Sequence, residues 1–221
     1  MQQRFVELLL FYPVFLFSLS LHEAAHAWMS NRLGDATARY LGRITLNPLP
    51  HMDMLGTAFL PIFGILTQSP VIGWGKPVPV DTRYLKNPRR DHLWIALMGP
   101  LSNIFLACVF AFFARGLLTT VDLFLNEFTA GDVGSSLVKG LFSICQIGVF
   151  LNLMLALFNL LPMPPLDGGA ILRGLLPDSL LHVFDQFSQY SFLILLLFFM
   201  TGILKYLLIP VMYFAHLLLP F

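Results

Sequence analysis

Charge is scarce in this sequence. Asp, Glu, Lys and Arg together make up 11% of its 221 residues, and the apolar types make up 57%. A soluble domain carries about a quarter charged residues to cover its surface, so a water-exposed globule is excluded and a lipid-embedded chain is indicated. An excess of one sign is missing too. The net charge is +1, which leaves no basic surface for nucleic acid. Cysteine is nearly absent: Cys108 and Cys145 each lie inside an apolar run and form no CxxC pair. That excludes a disulfide framework and a thiolate metal site. The N-terminal run lacks a strongly basic leader and a small-residue cleavage site, so it reads as a retained helix. The expectation is one membrane-embedded domain over 1–221, with its core in about 5–175.

What the sequence does have is long apolar runs. A spanning helix needs roughly 20 apolar residues. Helix A is expected over 5–29, with Glu7 and Glu23 as its formal charges, helix B over 93–114 and helix C over 140–161. The region 189–220 is interrupted by Gly202, Lys205 and Pro210, so it reads as a kinked span or a helical hairpin whose phenylalanines face lipid. A shorter piece at 55–67 contains Pro61 and Gly64; its length suits a re-entrant or interfacial segment. The fold class is an all-α polytopic membrane protein of about 4–6 membrane helices or segments, with a small re-entrant or β-like element between the first two full spans.

Basic residues orient these pieces. Arg32, Arg39, Arg43, Lys76, Arg83, Lys86, Arg89 and Arg90 lie between helices A and B, whereas 116–138 contains Asp122, Glu127 and Asp132 and no Lys or Arg. If 55–67 dips and returns, both basic clusters stay cytoplasmic, and the C-terminal ends of A and C meet on that side. The chain is then a multi-pass protein of the cell membrane.

One stretch of helix A breaks the apolar pattern. "HEAAH" sets His22 and His26 at i and i+4, about 40° apart on one helix face. Two imidazoles in that relation can hold one metal ion, with Glu23 beside them. Zinc suits imidazole nitrogen and lowers the pKa of a bound water to about 7; Glu23 can take that proton and deliver it to a leaving amine. HExxH also arises by chance in helices. Inside a span, however, a carboxylate costs about 2.5–3.5 kcal/mol on insertion scales, which makes a functional reason the better reading.

A hydrolytic zinc site has three protein ligands and an open position. His51 and His92 lie in polar connecting segments, and His182 and His216 fall outside any ligand spacing. Asp167, in "NLLPMPPLDGG" at 159–169, follows the charge-free helix C. The prolines at 162, 164 and 165 end that helix, and Gly168 and Gly169 permit a tight turn. Such a loop fixes one carboxylate at a defined depth. The plainer alternative is an Asp that caps the following helix.

HEAAH in the first helix, GPLSN in a middle one and NLLPMPPLDGG after the next together resemble the site-2 protease family of intramembrane zinc metalloproteases. "GRITLNPLPHMDMLGT" and "GWGKPVPVDTRYLKNPRRDHL" are similar to its compact branch, which lacks PDZ and CBS domains. The resemblance implies one zinc per chain on His22, His26 and Asp167, with Glu23 as catalytic acid and base. It implies that Asn103 faces the site, where it could donate to the oxyanion; an interhelical hydrogen bond is the alternative. It makes Asn159 and the prolines scaffolding for Asp167. "GWGKPVPV" at 73–80 would be an edge that pairs with an unwound substrate, or else an interfacial loop. The implied function is hydrolysis of peptide bonds within or beside transmembrane segments, with a membrane protein as substrate and the site open to the cytoplasmic side. The rival is a non-proteolytic zinc-binding membrane protein, either a pseudoprotease or a metal transporter.

Overall fold

The computed structural model of the chain describes residues 2–67, 73–123 and 133–219. Glu127 and Asp132 of the acidic connection lie outside the described residues. Helix α1 runs Gln2–Leu33, α2 Thr37–Tyr40, α3 Leu60–Thr67, α4 Pro88–Leu123, α5 Val133–Asn159, α6 Asp167–Leu175, α7 Asp178–Ser188, α8 Ser191–Met200 and α9 Leu208–Leu218. No strand is present among the described residues. Helices are the natural outcome for these runs, because lipid offers no partner for an open backbone.

Three helices are long and apolar enough to cross a membrane, at Phe5–Leu33, Pro88–Thr119 and Ser136–Asn159. Helices α7 and α8 form a pair bent by 57° that would make a fourth. The three expected spans are all present, and α4 is longer than its apolar run. It starts at Pro88, where proline suits the first helical turn. The Asp91 carboxylate accepts the Asn87 N–H at 2.9 Å, so the polar residues 88–92 belong to the helix.

The spans pack through small residues. Ala107, Ala111 and Ala114 of α4 lie against Val149 and Leu153 of α5 and against Val211, Ala215 and Leu219 of α9. Small side chains on one stripe let helix axes approach closely, which is the main source of helix association in lipid. The C-terminal region is therefore only partly lipid-facing. α8 is largely exposed, whereas the inner face of α9 is core. Arg115 of α4 donates to the carbonyls of Leu217 and Leu218 at 3.1 and 2.9 Å, and these are end groups of α9 that have no helical partner.

The 55–67 piece becomes a π-helical turn, Met54–Phe59, leading into α3. The Asp53 side chain caps it by accepting the N–H groups of Leu55 and Gly56 at 3.1 and 2.7 Å. Met54–Thr67 is about 21 Å long at 1.5 Å per residue, short of the roughly 30 Å hydrocarbon layer. Residues 73–80 carry no regular secondary structure.

Candidate active site

Helix α1 carries His22, Glu23 and His26 buried in the protein at 5%, 8% and 8% exposure. Their imidazole face meets α4. Gly99 makes this approach possible, since a Cβ there would overlap both rings. Two acceptors from α4 then fix the rings. The Ile95 carbonyl takes the proton of His26 Nδ1 at 2.7 Å, and Asn103 Oδ1 takes that of His22 Nδ1 at 2.6 Å.

The orientation of the Asn103 amide follows from a chain of buried partners. Asn152 of α5 donates from Nδ2 to the Gly148 carbonyl at 2.8 Å and to Ser18 Oγ at 2.9 Å. A carbonyl can only accept, so Asn152 must turn its Oδ1 towards Asn103, whose Nδ2 donates to it at 2.8 Å. The second Asn103 N–H faces the Ser18 carbonyl at 3.4 Å. Asn103 Oδ1 therefore faces His22, and the proton sits on His22 Nδ1. In neutral rings both Nε2 atoms are then lone pairs. Ser18, Asn103 and Asn152 are fully buried.

Asp167 enters from the far side. After Asn159 the chain turns through the proline loop and packs so closely that a Cβ on Gly168 would strike the Leu160 and Leu161 backbone, and one on Gly169 the backbone of Met163 and Pro164. The carboxylate ends 3.2 Å from His22 Nε2 through Oδ2 and 3.3 Å from His26 Nε2 through Oδ1. It does not cap α6: Leu166 is the cap residue, and no side-chain cap bond forms. Oδ2 is buried with no donor.

The donor set fits a divalent cation. The two Nε2 atoms lie 3.1 Å apart, and one ligand atom from each of the three residues falls within 4.8 Å of the others. Two lone pairs and a carboxylate oxygen pointed at one another repel without a positive charge between them. Neighbouring ligands of one tetrahedral zinc lie about 3.3 Å apart. Among the described residues no other group of three such side chains converges.

Glu23 lies beside the two histidines around α1 and faces Gly75. A Cβ on Gly75 would sit 3.2 Å from Glu23 Oε1. Two buried side chains brace the polar layer beyond. Asp35 accepts from Ser30 Oγ at 2.8 Å and from the N–H groups of Thr37 and Asp81 at 2.9 and 2.8 Å. Burial pushes the Asp35 carboxyl up, but these hydrogen bonds outweigh it and hold the group below the usual carboxylate range. His51 is buried, donates to the Thr45 carbonyl at 2.9 Å, and has its pKa drawn down chiefly by burial. It is not part of the triad; neither are His92, His182 and His216.

His22, Glu23, His26, Asn103 and Asp167, the residues expected from the sequence, are gathered by the fold. Ser18, Gly99 and Asn152 join them without having stood out in the sequence. The available signal was polar or minimal side chains inside otherwise apolar spans, which mark helix contacts as often as sites.

A polytopic helical protein with HExxH on a spanning helix, and a carboxylate delivered to both imidazoles from a distant loop, has the architecture of a membrane metalloprotease. The chain belongs to Peptidase family M50, the site-2 protease family, matching it over residues 10–202. It is 37% identical over 195 residues to "Putative zinc metalloprotease YwhC" of Bacillus subtilis (strain 168), covering 88% of this chain and 82% of that one. It is 29% identical over 191 residues to "Putative zinc metalloprotease Rip2" of Mycolicibacterium smegmatis and of Mycobacterium tuberculosis H37Rv, covering 86% of this chain and 66% of each relative. No solved structure matches the chain. The protein is a zinc metalloendopeptidase with a protein substrate, and its apolar helices make it a multi-pass membrane protein.

Proposed function

We propose that this chain hydrolyses peptide bonds within or next to transmembrane segments of membrane proteins, with His22, His26 and Asp167 holding one zinc and Glu23 as acid and base. The observation that carries this reading is the convergence of three donor side chains, two of them buried on a helix long enough to span, beside the buried carboxylate of Glu23 on that same helix. A zinc ion bound there supplies Lewis acidity and a water acidified towards neutral pH.

The residues of the chain supply the rest. The Ile95 carbonyl and Asn103 Oδ1 keep the Nε2 lone pairs of His26 and His22 aimed at the centre, as outer-shell partners of metal-binding histidines do. Glu23 accepts the proton of the attacking water and returns it to the leaving nitrogen. Asn103 has both amide protons committed to Asn152 and Ser18, which supports an orienting role for it over donation to an oxyanion. A helical substrate hides its carbonyls in i to i−4 bonds and must unwind before attack, so helices weakened by Gly, Asn or Pro are preferred. Gly75, whose backbone groups have no partner among the described residues, offers an edge to the unwound stretch beside Glu23.

The site faces the cytoplasmic side of the cell membrane, a reading supported by the basic residues that flank Met54–Thr67. A pseudoprotease or transporter is less well supported. Glu23 stands where an idle site has no use for it, and no second donor cluster marks a path among the described residues.

The test is cleavage in liposomes of single-span reporter peptides bearing Gly or Asn in the span, with products mapped by mass spectrometry. Cuts inside or next to the apolar run, abolished by chelation and restored by zinc, are expected. Cuts confined to distant soluble flanks would overturn the intramembrane reading.

A further inference from the structure

Arg43 is a buried charge for which the proposed chemistry has no use. It is 5% exposed, and among the described residues no carboxylate lies within ion-pair distance of it, although the charge of Glu23 acts on it through space. Leaving a guanidinium out of water without a contacting counter-ion is costly unless its donors are well used. Two of its nitrogens are used, and the buried Nε has no partner among the described residues. Nη1 donates to the Pro50 carbonyl at 2.8 Å and Nη2 to the Lys76 carbonyl.

The Lys76 contact belongs to a regular pattern. The Trp74 N–H donates to the Gly56 carbonyl at 3.1 Å, and the Lys76 N–H to the His51 carbonyl at 2.8 Å. The Trp74 carbonyl accepts from Thr57 Oγ1 at 2.8 Å, and the Lys76 carbonyl from Arg43. All four backbone groups of these two residues are satisfied on one edge, and two of the four partners are side chains. In an extended chain the residue between them turns its N–H and C=O to the opposite edge. That residue is Gly75, whose missing side chain faces Glu23 Oε1.

We propose that Arg43 is a positioning residue for substrate. With Thr57 it clasps the closed edge of 73–76, setting the height of the open Gly75 edge above Glu23. The clasp rests on the proposed intramembrane cleavage for its purpose and on its own geometry for its existence. A forked guanidinium reaches two carbonyls from different segments at once, which the single ammonium of lysine does not. Loss of the clasp lets the edge drift. The engagement of an unwound backbone then suffers, whereas the metal ligands, carried by α1 and α6 and braced from α4 and α5, do not move.

Three readouts on purified full-length protein test this. In a W28F/W94F background Trp74 is the remaining tryptophan, and it sits inside the clasped segment. Arg43→Met and Thr57→Val should each make Trp74 more accessible to acrylamide, and Thr57→Ser should restore the wild-type value. Zinc content should stay at the wild-type level in all three. With the reporter peptides, Arg43→Met should raise KM by about tenfold, the scale of one lost charged hydrogen bond, and leave kcat nearly unchanged. Unchanged Trp74 quenching in both Arg43→Met and Thr57→Val would overturn the clasp. So would a loss of zinc, which would make Arg43 part of the metal scaffold, or a fall in kcat at constant KM, which would place it in the chemistry. Quenching and zinc content need no turnover, so failure of the reporters to be cleaved would count against the proposed function and leave the clasp separately decided.

Discussion

Replacing Asn103 with alanine removes the acceptor that holds His22 Nδ1–H at 2.6 Å and the donor that satisfies Asn152 Oδ1 at 2.8 Å. Two effects follow, and their sizes can be worked separately. The His22 ring loses the group that selects its tautomer and aim, a change that costs about 10–100-fold in metal affinity, or roughly 1.4–2.8 kcal/mol. Asn152 Oδ1 becomes a buried acceptor without a donor, which costs about 1–3 kcal/mol of fold stability. Competition with a chromophoric zinc chelator measures the first, and thermal unfolding in detergent the second. Asn152→Leu should weaken zinc in the same direction with smaller amplitude, because Asn103 keeps its acceptor but loses the partner that orients it. An Asn103 that served as oxyanion donor would behave differently: cleavage would fall by about 10²–10³ while zinc affinity stayed intact. Wild-type zinc affinity in Asn103→Ala would refute the orienting role.

Other consequences are as concrete. Asp167→Ala should deplete the roughly one zinc per chain expected of a closed three-ligand set, as should His22→Ala or His26→Ala; full retention in Asp167→Ala would remove the carboxylate from the site. Asp35 has its pKa depressed in the fold, so it stabilises the protein above the ordinary carboxylate range near 4, and that contribution is lost as pH falls through the lower folded-state value. Unfolding midpoints measured between neutral and acidic pH should therefore drop more steeply for wild type than for Asp35→Asn, and parallel curves would contradict the assignment. Single cysteines near Arg39 and Arg83, in a chain freed of Cys108 and Cys145, should both resist an impermeant thiol reagent in intact cells, while one near Asp132 reacts. Labelling of one basic site alone would mean that Met54–Thr67 crosses the membrane.

Much of the site was legible because it violates the composition around it. A glutamate and two histidines inside an apolar helix have few reasons to exist, and Asp167 stands out after a charge-free span for the same reason. The three long spans were legible because length and hydropathy suffice for them. The start of α4 was not, because Pro88–His92 are polar and an apolar window begins only at Leu93; the Asp91 bond to Asn87 that completes the helix is a local detail of geometry. The π turn at Met54–Phe59 depends on the Asp53 cap, which sequence alone reads as one more loop aspartate. The C-terminal region was ambiguous because its run of Leu and Phe has no periodicity to separate the exposed α8 from the packed face of α9. Asn152 and Ser18 carry no charge, so in sequence they are ordinary helix contacts; only their link through Asn103 to His22 sets them apart. Arg43 counts in the sequence as one of eight basic residues between the first two spans, and nothing in that count says it is buried.

The central claim is that Glu23 moves the proton at a centre built by His22, His26 and Asp167. Glu23→Gln keeps the shape of the side chain and removes its basicity. Zinc content and reporter cleavage measured on the same preparations of wild type and Glu23→Gln test the claim most directly. The account predicts equal zinc in both and cleavage lower by a factor of about 10² or more in the variant. Equal zinc with undiminished cleavage would contradict it.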